Sequence, residues 1–276
     1  ILLNGCECEP LLTADHRVML EFADDVVFGL QAIIRAVGAE RGLIVIEDNK
    51  PDAIELMKEK TASYSNMDVV AARTKYPQGA EKMLIKRVTG RKVPSGGLPA
   101  DVGCVVSNIS TTKAIADAIL RGMPLIERVV TVSGERVKNP GNYIVKIGTS
   151  TKALIDHCGG VTGEDITLKA GGPMMGFVLT DLDVPIMKGS NGIIAVDTDH
   201  TAEQPCIKCG RCMDVCPMEL SPLYFAKFAD QKNWQGMKDK NVMDCIECRC
   251  CEYICSSKIP LVAKIKAGKN EVRGVK

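Results

Sequence analysis

Two copies of one cysteine spacing near the end of the chain constrain its fold more strongly than any other feature. The spacing Cys-x2-Cys-x2-Cys-x3-Cys begins at Cys206 and again at Cys245, with about 28 residues between the copies. Three thiolates at such short intervals fit one face of an iron–sulfur cubane, and the fourth thiolate of each copy reaches the other cluster. The pattern therefore predicts two crossed [4Fe–4S] ligand sets, the first of Cys206, Cys209, Cys212 and Cys255 and the second of Cys245, Cys248, Cys251 and Cys216.

Two other uses of clustered cysteines remain open. Zinc sites also contain Cys-x2-Cys pairs, but they do not need the third and fourth cysteines of this pattern. Disulfide scaffolds are small secreted chains with bridges spread throughout, whereas nine of the 13 cysteines here fall between Cys206 and Cys255. The spacing favours clusters over both alternatives and indicates a reducing compartment.

The second copy differs from the first in three details. Arg249 stands where a glycine would fit the tight loop more easily, and Ser256 follows the last cysteine where the first copy has Pro217. Cys250 is an additional thiol, which we interpret as a packed neighbour of the ligands. None of these differences removes a predicted ligand.

Composition excludes several classes of protein. Lysine and arginine number 35 against 34 aspartates and glutamates, and only 4% of residues are aromatic, so neither charge nor stacking surface favours a nucleic acid partner. The longest apolar runs, such as residues 43–46, are far shorter than the roughly 18 residues that span a bilayer. No signal peptide is visible. Because the chain begins with a strand-like segment and without Met, we expect a preceding N-terminal part.

Strand and helix patterns alternate over residues 1–124, which predicts an α/β domain with a parallel sheet covered on both faces. Apolar residues at helical spacing predict one helix over residues 18–37. Short β-branched runs broken by glycine turns predict a small α+β module at residues 125–180. A connector with one strand follows at residues 181–203, and residues 204–276 form the predicted helical cluster domain.

An acidic, cysteine-containing motif, N-G-C-E-C-E-P, follows the first predicted strand at residues 4–10. In α/β sheets ligands bind beyond the carboxyl ends of the strands, so the motif occupies a site position. An ordinary polar turn with two incidental acids is the alternative. The glycine-rich run at residues 171–176 is interpreted as a structural turn, because no phosphate-loop helix start follows it.

This motif, the strand end at residues 107–111, the module around residues 134–143 and the paired cysteine motifs occur in one order. That order resembles the C subunit of the Rnf complex, an ion-translocating ferredoxin:NAD⁺ oxidoreductase. The resemblance covers essentially the whole chain and includes residues 257–261 after the second cysteine copy. The first part is also similar to the NADH-oxidising subunit of respiratory complex I.

The resemblance implies that residues 1–124 belong to a domain binding FMN and NADH and that residues 125–180 form a soluble-ligand-binding β-grasp module. It places Asn4 against FMN and makes Glu7 and Glu9 acids of the flavin and nicotinamide pocket. The remaining residues it implicates, at the flavin or at its phosphate and ribityl side, are Tyr76, Glu81, Asn108 and Thr111. The glycine-rich loop of such proteins is absent from this chain, and Cys6, Ala80 and Ser107 depart from their pattern.

The function that the resemblance implies is electron transfer between NAD(H), FMN and two [4Fe–4S] clusters, in a peripheral subunit at the cytoplasmic face of the bacterial cell membrane. Its expected partners are other subunits of a membrane complex, including an iron–sulfur subunit, with ferredoxin acting indirectly. One alternative is a soluble flavin and iron–sulfur reductase, such as a microcompartment cobalamin reductase. Another is a relay subunit that has lost its flavin.

Overall fold

A computed structural model describes residues 1–274, which form two compact units. The first consists of residues 1–93 and 98–198, and the second of residues 94–97 together with the chain from Asp199 onward. The predicted C-terminal domain runs to residue 276, and its last two residues lie outside the described part. The finer division into four segments, with boundaries at residues 124, 180 and 203, stays a prediction.

Four parallel strands form the first sheet, in the order β3-β2-β1-β4. They are β1 (Leu2–Gly5), β2 (Gly42–Glu47), β3 (Met67–Ala72) and β4 (Val106–Asn108). The helices between and after them are α1 (Ala14–Glu21), α2 (Ala23–Val37), α3 (Pro51–Thr61), α4 (Glu81–Thr89) and α5 (Ile109–Arg121). The predicted parallel sheet is therefore confirmed.

The sheet is buried on both faces because successive side chains of a strand point in opposite directions. On β1, Leu3 packs into a cluster with α1, α2 and α3, whereas Leu2 packs into a second cluster with Leu84 and Ile85 of α4. The prediction of one helix over residues 18–37 is wrong: the helix breaks at Phe22, whose φ of −129° and ψ of 35° are not helical. The break separates α1 from α2.

A second, mixed sheet has the order β6-β5-β9-β7-β8. Its strands are β5 (Glu127–Ser133), β6 (Gly141–Lys146), β7 (Ile166–Ala170), β8 (Phe177–Val178) and β9 (Gly192–Asp197), and α6 (Thr151–His157) packs its buried face. Strand β9 lies in the predicted connector, yet it occupies the centre of the sheet between β5 and β7. The connector thus supplies a core strand.

The second unit is helical and contains a structural repeat. Its helices are α7 (Arg211–Asp214), α8 (Pro222–Asp230), α9 (Trp234–Asp239), α10 (Cys250–Tyr253) and α11 (Leu261–Gly274). The pairs α7 and α10, and α8 and α11, begin 39 residues apart (250 − 211 and 261 − 222). This offset equals the distance between Cys206 and Cys245, so the cysteine pattern and the helices repeat together.

Candidate functional site

Asn4 lies at the carboxyl edge of the parallel sheet, beside Asn108 on the neighbouring strand. Its side-chain amide donates a hydrogen bond to the carbonyl oxygen of Gly79 at 2.8 Å, and its Oδ1 accepts one from the backbone of Cys6 at 3.1 Å. Gly79 in turn donates its N–H to the Cys8 sulfur at 3.3 Å. A Cβ at Gly79 would overlap the carbonyl of Cys6, so the turn before α4 approaches the motif as closely as glycine permits.

The other two residues implicated beside the flavin flank this turn. Tyr76 precedes it and is half-buried, and Glu81 is the exposed first residue of α4. Gly79, between these two residues, is the part of the turn that contacts Asn4 and Cys8.

Asn108 caps the N-terminus of α5. Its Oδ1 accepts hydrogen bonds from the N–H groups of Ser110 at 2.9 Å and Thr111 at 3.3 Å. Its Nδ2 donates to Asp15 at 2.7 Å, and the Ser110 hydroxyl donates to the other oxygen of Asp15 at 2.7 Å. Thr111 is exposed on the first turn of this 13-residue helix. A helix N-terminus favours negative charge, which the Asp15 carboxylate supplies here, and the exposed Thr111 hydroxyl is the group that fits the phosphate side of the predicted FMN.

The side chain of Glu7, which precedes α1 in the sequence, caps the N-terminus of that helix. Its two carboxylate oxygens accept the N–H groups of Asp15 at 3.0 Å and His16 at 3.2 Å. Burial, together with the nearby charge of Asp15, raises the pKa of Glu7 from 4.5 to about 7. The carboxyl group therefore changes its protonation state near neutral pH.

Glu9 is bound by the glycine-rich turn after β7. Its Oε2 accepts the N–H of Met174 at 3.0 Å, and its Oε1 accepts that of Met175 at 2.7 Å. A Cβ at Gly172 would overlap the Glu9 carboxylate, which explains the glycine there. The turn predicted as merely structural thus holds one of the two motif acids.

The segment after Glu9 is also held by the second sheet. Ser133 donates its hydroxyl to the carbonyl of Leu11 at 2.7 Å, and Thr13 donates its N–H to the Thr131 hydroxyl at 3.1 Å. Asn142 adds a hydrogen bond to the Thr13 hydroxyl at 2.9 Å. The acidic motif is consequently fixed at one end by the parallel sheet and at the other by the mixed sheet.

Sequence reasoning missed a buried ion pair at the end of β2. Lys50 Nζ lies 3.2 Å from Glu47 Oε2, and both side chains are almost fully buried. Glu47 Oε1 has no hydrogen-bond partner among the described residues. Burial, reinforced by the charge of Glu47, raises the pKa of Cys6 to about 12, and the same two causes raise that of Cys8 to about 11. The signal for this pair was the run E-D-N-K directly after a buried strand.

The two cysteine loops have the same backbone conformation. Positive φ angles occur at Lys208 (55°) and Glu247 (56°), and again at Gly210 (81°) and Arg249 (61°), 39 residues apart in both cases. Left-handed backbone is unusual outside glycine. Its recurrence with different residues shows that the loop geometry, rather than the local residue type, requires it. Arg249 therefore adopts the glycine-like conformation that its position predicted.

Backbone N–H groups also point at equivalent sulfurs. Lys208 N lies 3.4 Å from the Cys206 sulfur, and Glu247 N lies 3.4 Å from the Cys245 sulfur. Leu220 N donates in the same way to Cys216. Hydrogen bonds to sulfur are among the features that set the potential of an iron–sulfur cluster.

Two cavities in the second unit bring together the two predicted ligand sets. One is lined by Cys206, Cys209, Cys212 and Cys255, and the other by Cys216, Cys245, Cys248 and Cys251. Each cavity thus contains the first three cysteines of the spacing in one copy and the last cysteine of the other. In the described part of the chain, no set of three His, Cys, Asp or Glu side chains has the geometry to hold a metal ion. Four thiols around one cavity, with N–H groups directed at sulfur, fit a [4Fe–4S] cluster.

The two cavities differ in their surroundings. Cys206 and Cys209 are exposed, whereas Cys248 and Cys251 are buried. Cys250 lines the second cavity, and a hydrogen bond between its thiol and that of Cys248 lowers the pKa of Cys248 to about 7. This placement agrees with the interpretation of Cys250 as a neighbour of the ligands.

Three protein families match the chain in sequence order. Residues 1–117 match the Nuo51 FMN-binding domain, residues 129–178 the SLBB domain, and residues 199–256 the 4Fe-4S dicluster domain. The predicted cofactor classes, FMN and [4Fe–4S] clusters, are those of the matched domains.

Curated relatives extend these matches over nearly the whole chain. The C subunit of the proton-translocating ferredoxin:NAD⁺ oxidoreductase complex of Clostridium ljungdahlii is 51% identical over 276 residues, covering 99% of this chain and 60% of that protein. The Na⁺-translocating counterpart of Acetobacterium woodii is 44% identical over 275 residues, covering 99% of this chain and 62% of that protein. The chain is thus similar over 99% of its length to these C subunits. The resemblance found in the sequence is thereby confirmed.

The chain spans about 60% of the length of these two relatives. Its fold also resembles that of a chain in a crystal structure of an NAD⁺-reducing [NiFe]-hydrogenase in the air-oxidized state. The TM-score is 0.60 at 16% identity, with 99% of this chain and 47% of the other covered. Over residues 1–274, none of the helices combines the length and hydrophobicity needed to cross a bilayer.

Proposed function

We propose that this chain is the cofactor-carrying part of an electron-transfer subunit in a membrane-associated, ion-translocating ferredoxin:NAD⁺ oxidoreductase. In this proposal electrons are exchanged between NAD(H), FMN and two [4Fe–4S] clusters. The crossed arrangement of eight thiols around two cavities supports it most strongly, because one-electron transfer is the shared task of paired clusters. The relatives' names supply the partners NAD⁺ and ferredoxin.

FMN, when bound, would convert the two-electron chemistry of nicotinamide into one-electron steps suited to the clusters. The residues proposed to hold it are Asn4, Glu7, Glu9, Tyr76, Glu81, Asn108 and Thr111. Asn108 orients the first turn of α5, and Glu7 fixes the start of α1. Glu9 anchors the motif to the turn after β7. These contacts position the edge of the sheet where flavin and nicotinamide would meet.

The eight cysteines of the two sets are proposed as the cluster ligands. We further propose a peripheral location at the cytoplasmic face of the cell membrane and an iron–sulfur subunit as the electron partner. The multisubunit nature of the relatives supports the partner proposal. Co-purification of the tagged protein with its complex from native membranes, and its release by a wash that leaves integral subunits in place, would test both.

Cofactor content tests the proposal directly. The full-length protein, purified without oxygen, should contain about eight irons, as two [4Fe–4S] clusters require, together with FMN. Iron without flavin would instead support the alternative of a relay subunit that has lost its flavin. Zinc in place of iron would contradict the proposed function.

A further inference from the structure

Lys269 of α11 is a buried cation beside the second ligand set. Its side chain is only 9% exposed. The ammonium group donates hydrogen bonds to the carbonyl oxygen of Cys245 at 2.9 Å and to Glu247 Oε1 at 2.6 Å. Glu247 is also the residue whose N–H points at the Cys245 sulfur. One lysine thus holds the backbone that orients the first cysteine of the set.

The first ligand set has no equivalent of this contact among the described residues. The 39-residue repeat places Asp230 where the second copy has Lys269, and Lys208 where it has Glu247. Asp230 is 60% exposed and pairs with Lys264 at 2.8 Å. Both charges are therefore reversed between the copies, and within residues 1–274 only the second copy has a buried lysine hydrogen-bonded to its cysteine loop.

A buried positive charge near a cluster favours the reduced form, because reduction adds one negative charge to the cluster. The effect is larger in a poorly polarisable interior than in water. Glu247 offsets part of it, while Lys266, 3.6 Å from Glu247 but 52% exposed, offsets part of the Glu247 charge. The three side chains together carry one net positive charge, and Lys269 is the most buried of them.

We propose that Lys269 is a positioning residue that orients the Cys245–Glu247 loop and raises the reduction potential of the second cluster relative to the first. This inference rests on the proposed function, since it requires the two clusters. The two proposals can fail separately. Absence of iron from the wild-type protein would contradict the proposed function, whereas unchanged potentials in a cluster-loaded Lys269 variant would contradict only the role of Lys269.

The test is an anaerobic redox titration followed by electron paramagnetic resonance, with the full-length Lys269→Met variant against wild type. The equilibrium constant for reducing the second cluster should fall about tenfold, equivalent to about 59 mV for one electron. The potential of the first cluster should stay the same. The signal of the second cluster is assigned by its persistence in a Cys206→Ala variant.

Lys266→Met is the matched control, because it removes the same charge from the same helix at an exposed position. It should change the equilibrium constant by less than about threefold, since exposed charges are screened by solvent. Lys269→Arg, which keeps the charge, should restore most of the wild-type potential. Equal shifts in the two Met variants would overturn the proposal, as would no shift in either.

Glu247→Gln keeps the inference testable if Lys269→Met fails to incorporate iron. It removes the negative partner while leaving the lysine bond to Cys245, so the potential of the second cluster should rise. A fall or an unchanged potential would contradict a field set by the lysine.

Discussion

Two regions of the molecule are held by different kinds of contact. They are the cysteine loops that begin at Cys206 and Cys245, here called the cluster loops, and the carboxyl edge of the parallel sheet with the motif at residues 4–10, here called the acidic edge. Each cluster loop is built from residues within about ten positions of one another, plus one cysteine from the other copy. The acidic edge instead depends on contacts across long separations, such as that of Glu9 with Met174, 165 residues away. A local spacing can therefore identify the first kind of site, whereas the second exists only once two sheets have packed.

The crossed fourth cysteine is the non-local element of the cluster sites, and its removal should have the largest effect. Cys255→Ala should eliminate the first cluster although Cys255 belongs to the second copy, so that iron falls from about eight to about four per chain. Iron analysis combined with paramagnetic resonance measures this. Loss of the second cluster instead would show that each copy ligates its own cluster.

Gly172→Ala should disrupt the acidic edge without affecting the clusters. The added Cβ would displace the Glu9 carboxylate, at a cost of about 1–3 kcal/mol for overpacking. Hydrogen exchange at the amides of Met174 and Met175 should accelerate, because Glu9 no longer accepts their hydrogen bonds. Gly189→Ala is the control, since its Cβ meets no atom within 4 Å. Equal exchange in the two variants would show that Glu9 does not hold the turn.

Glu7→Gln should change how stability depends on pH. Folded Glu7 keeps its proton up to a pKa of about 7, whereas the ordinary value is 4.5. Between these values the folded state binds more protons than the unfolded state, so wild-type stability falls as pH rises. The variant lacks this loss, and its unfolding free energy relative to wild type should increase across the same window. Denaturant unfolding at pH 5 and pH 7.5 measures the difference, and parallel pH dependences would contradict the raised pKa.

Arg249→Gly should have the smallest effect, an increase of about 0.5–1 kcal/mol in the unfolding free energy of the second unit. Glycine adopts the positive φ of this position without steric cost. The ion pair of Arg249 with Glu252, at 3.8 Å and partly exposed, offsets only part of the roughly 1–2 kcal/mol that left-handed backbone costs a residue other than glycine. Gly210→Ala, at the equivalent position of the first copy, should lose a similar amount, because its Cβ meets no atom within 4 Å and only the conformation is penalised. Loss of cluster absorbance against denaturant concentration compares the two.

How much the sequence could predict follows from this same contrast. The parallel sheet and the two cysteine loops were predictable because a strand, a helix or a cysteine loop is encoded by neighbouring residues. The two cluster ligand sets stay a prediction. The central position of β9 could not be predicted, because the sequence of a single strand in a presumed connector does not indicate that it pairs with β5 and β7. The break at Phe22 was also hidden, since the apolar residues on either side keep their helical spacing.

The acidic edge shows the same limit at single residues. The motif at residues 4–10 marked the position of a site, and the resemblance suggested its acids. Neither indicated that the turn at residues 171–176 binds Glu9, or that Glu47 and Lys50 form a buried ion pair. Lys269 is one of several basic residues near the end of the sequence, and only the packed structure shows it buried and bonded to Cys245.

Electron flow from nicotinamide to the clusters tests the central claim most directly. The full-length protein, purified without oxygen and loaded with FMN, would be mixed with NADH and frozen for paramagnetic resonance. The proposed function predicts reduction of [4Fe–4S] signals by NADH at catalytic speed, with loss of the first-cluster signal in Cys255→Ala. Clusters that dithionite reduces but NADH leaves oxidised at every ratio of NADH to NAD⁺, in a protein that retains its FMN, would contradict it.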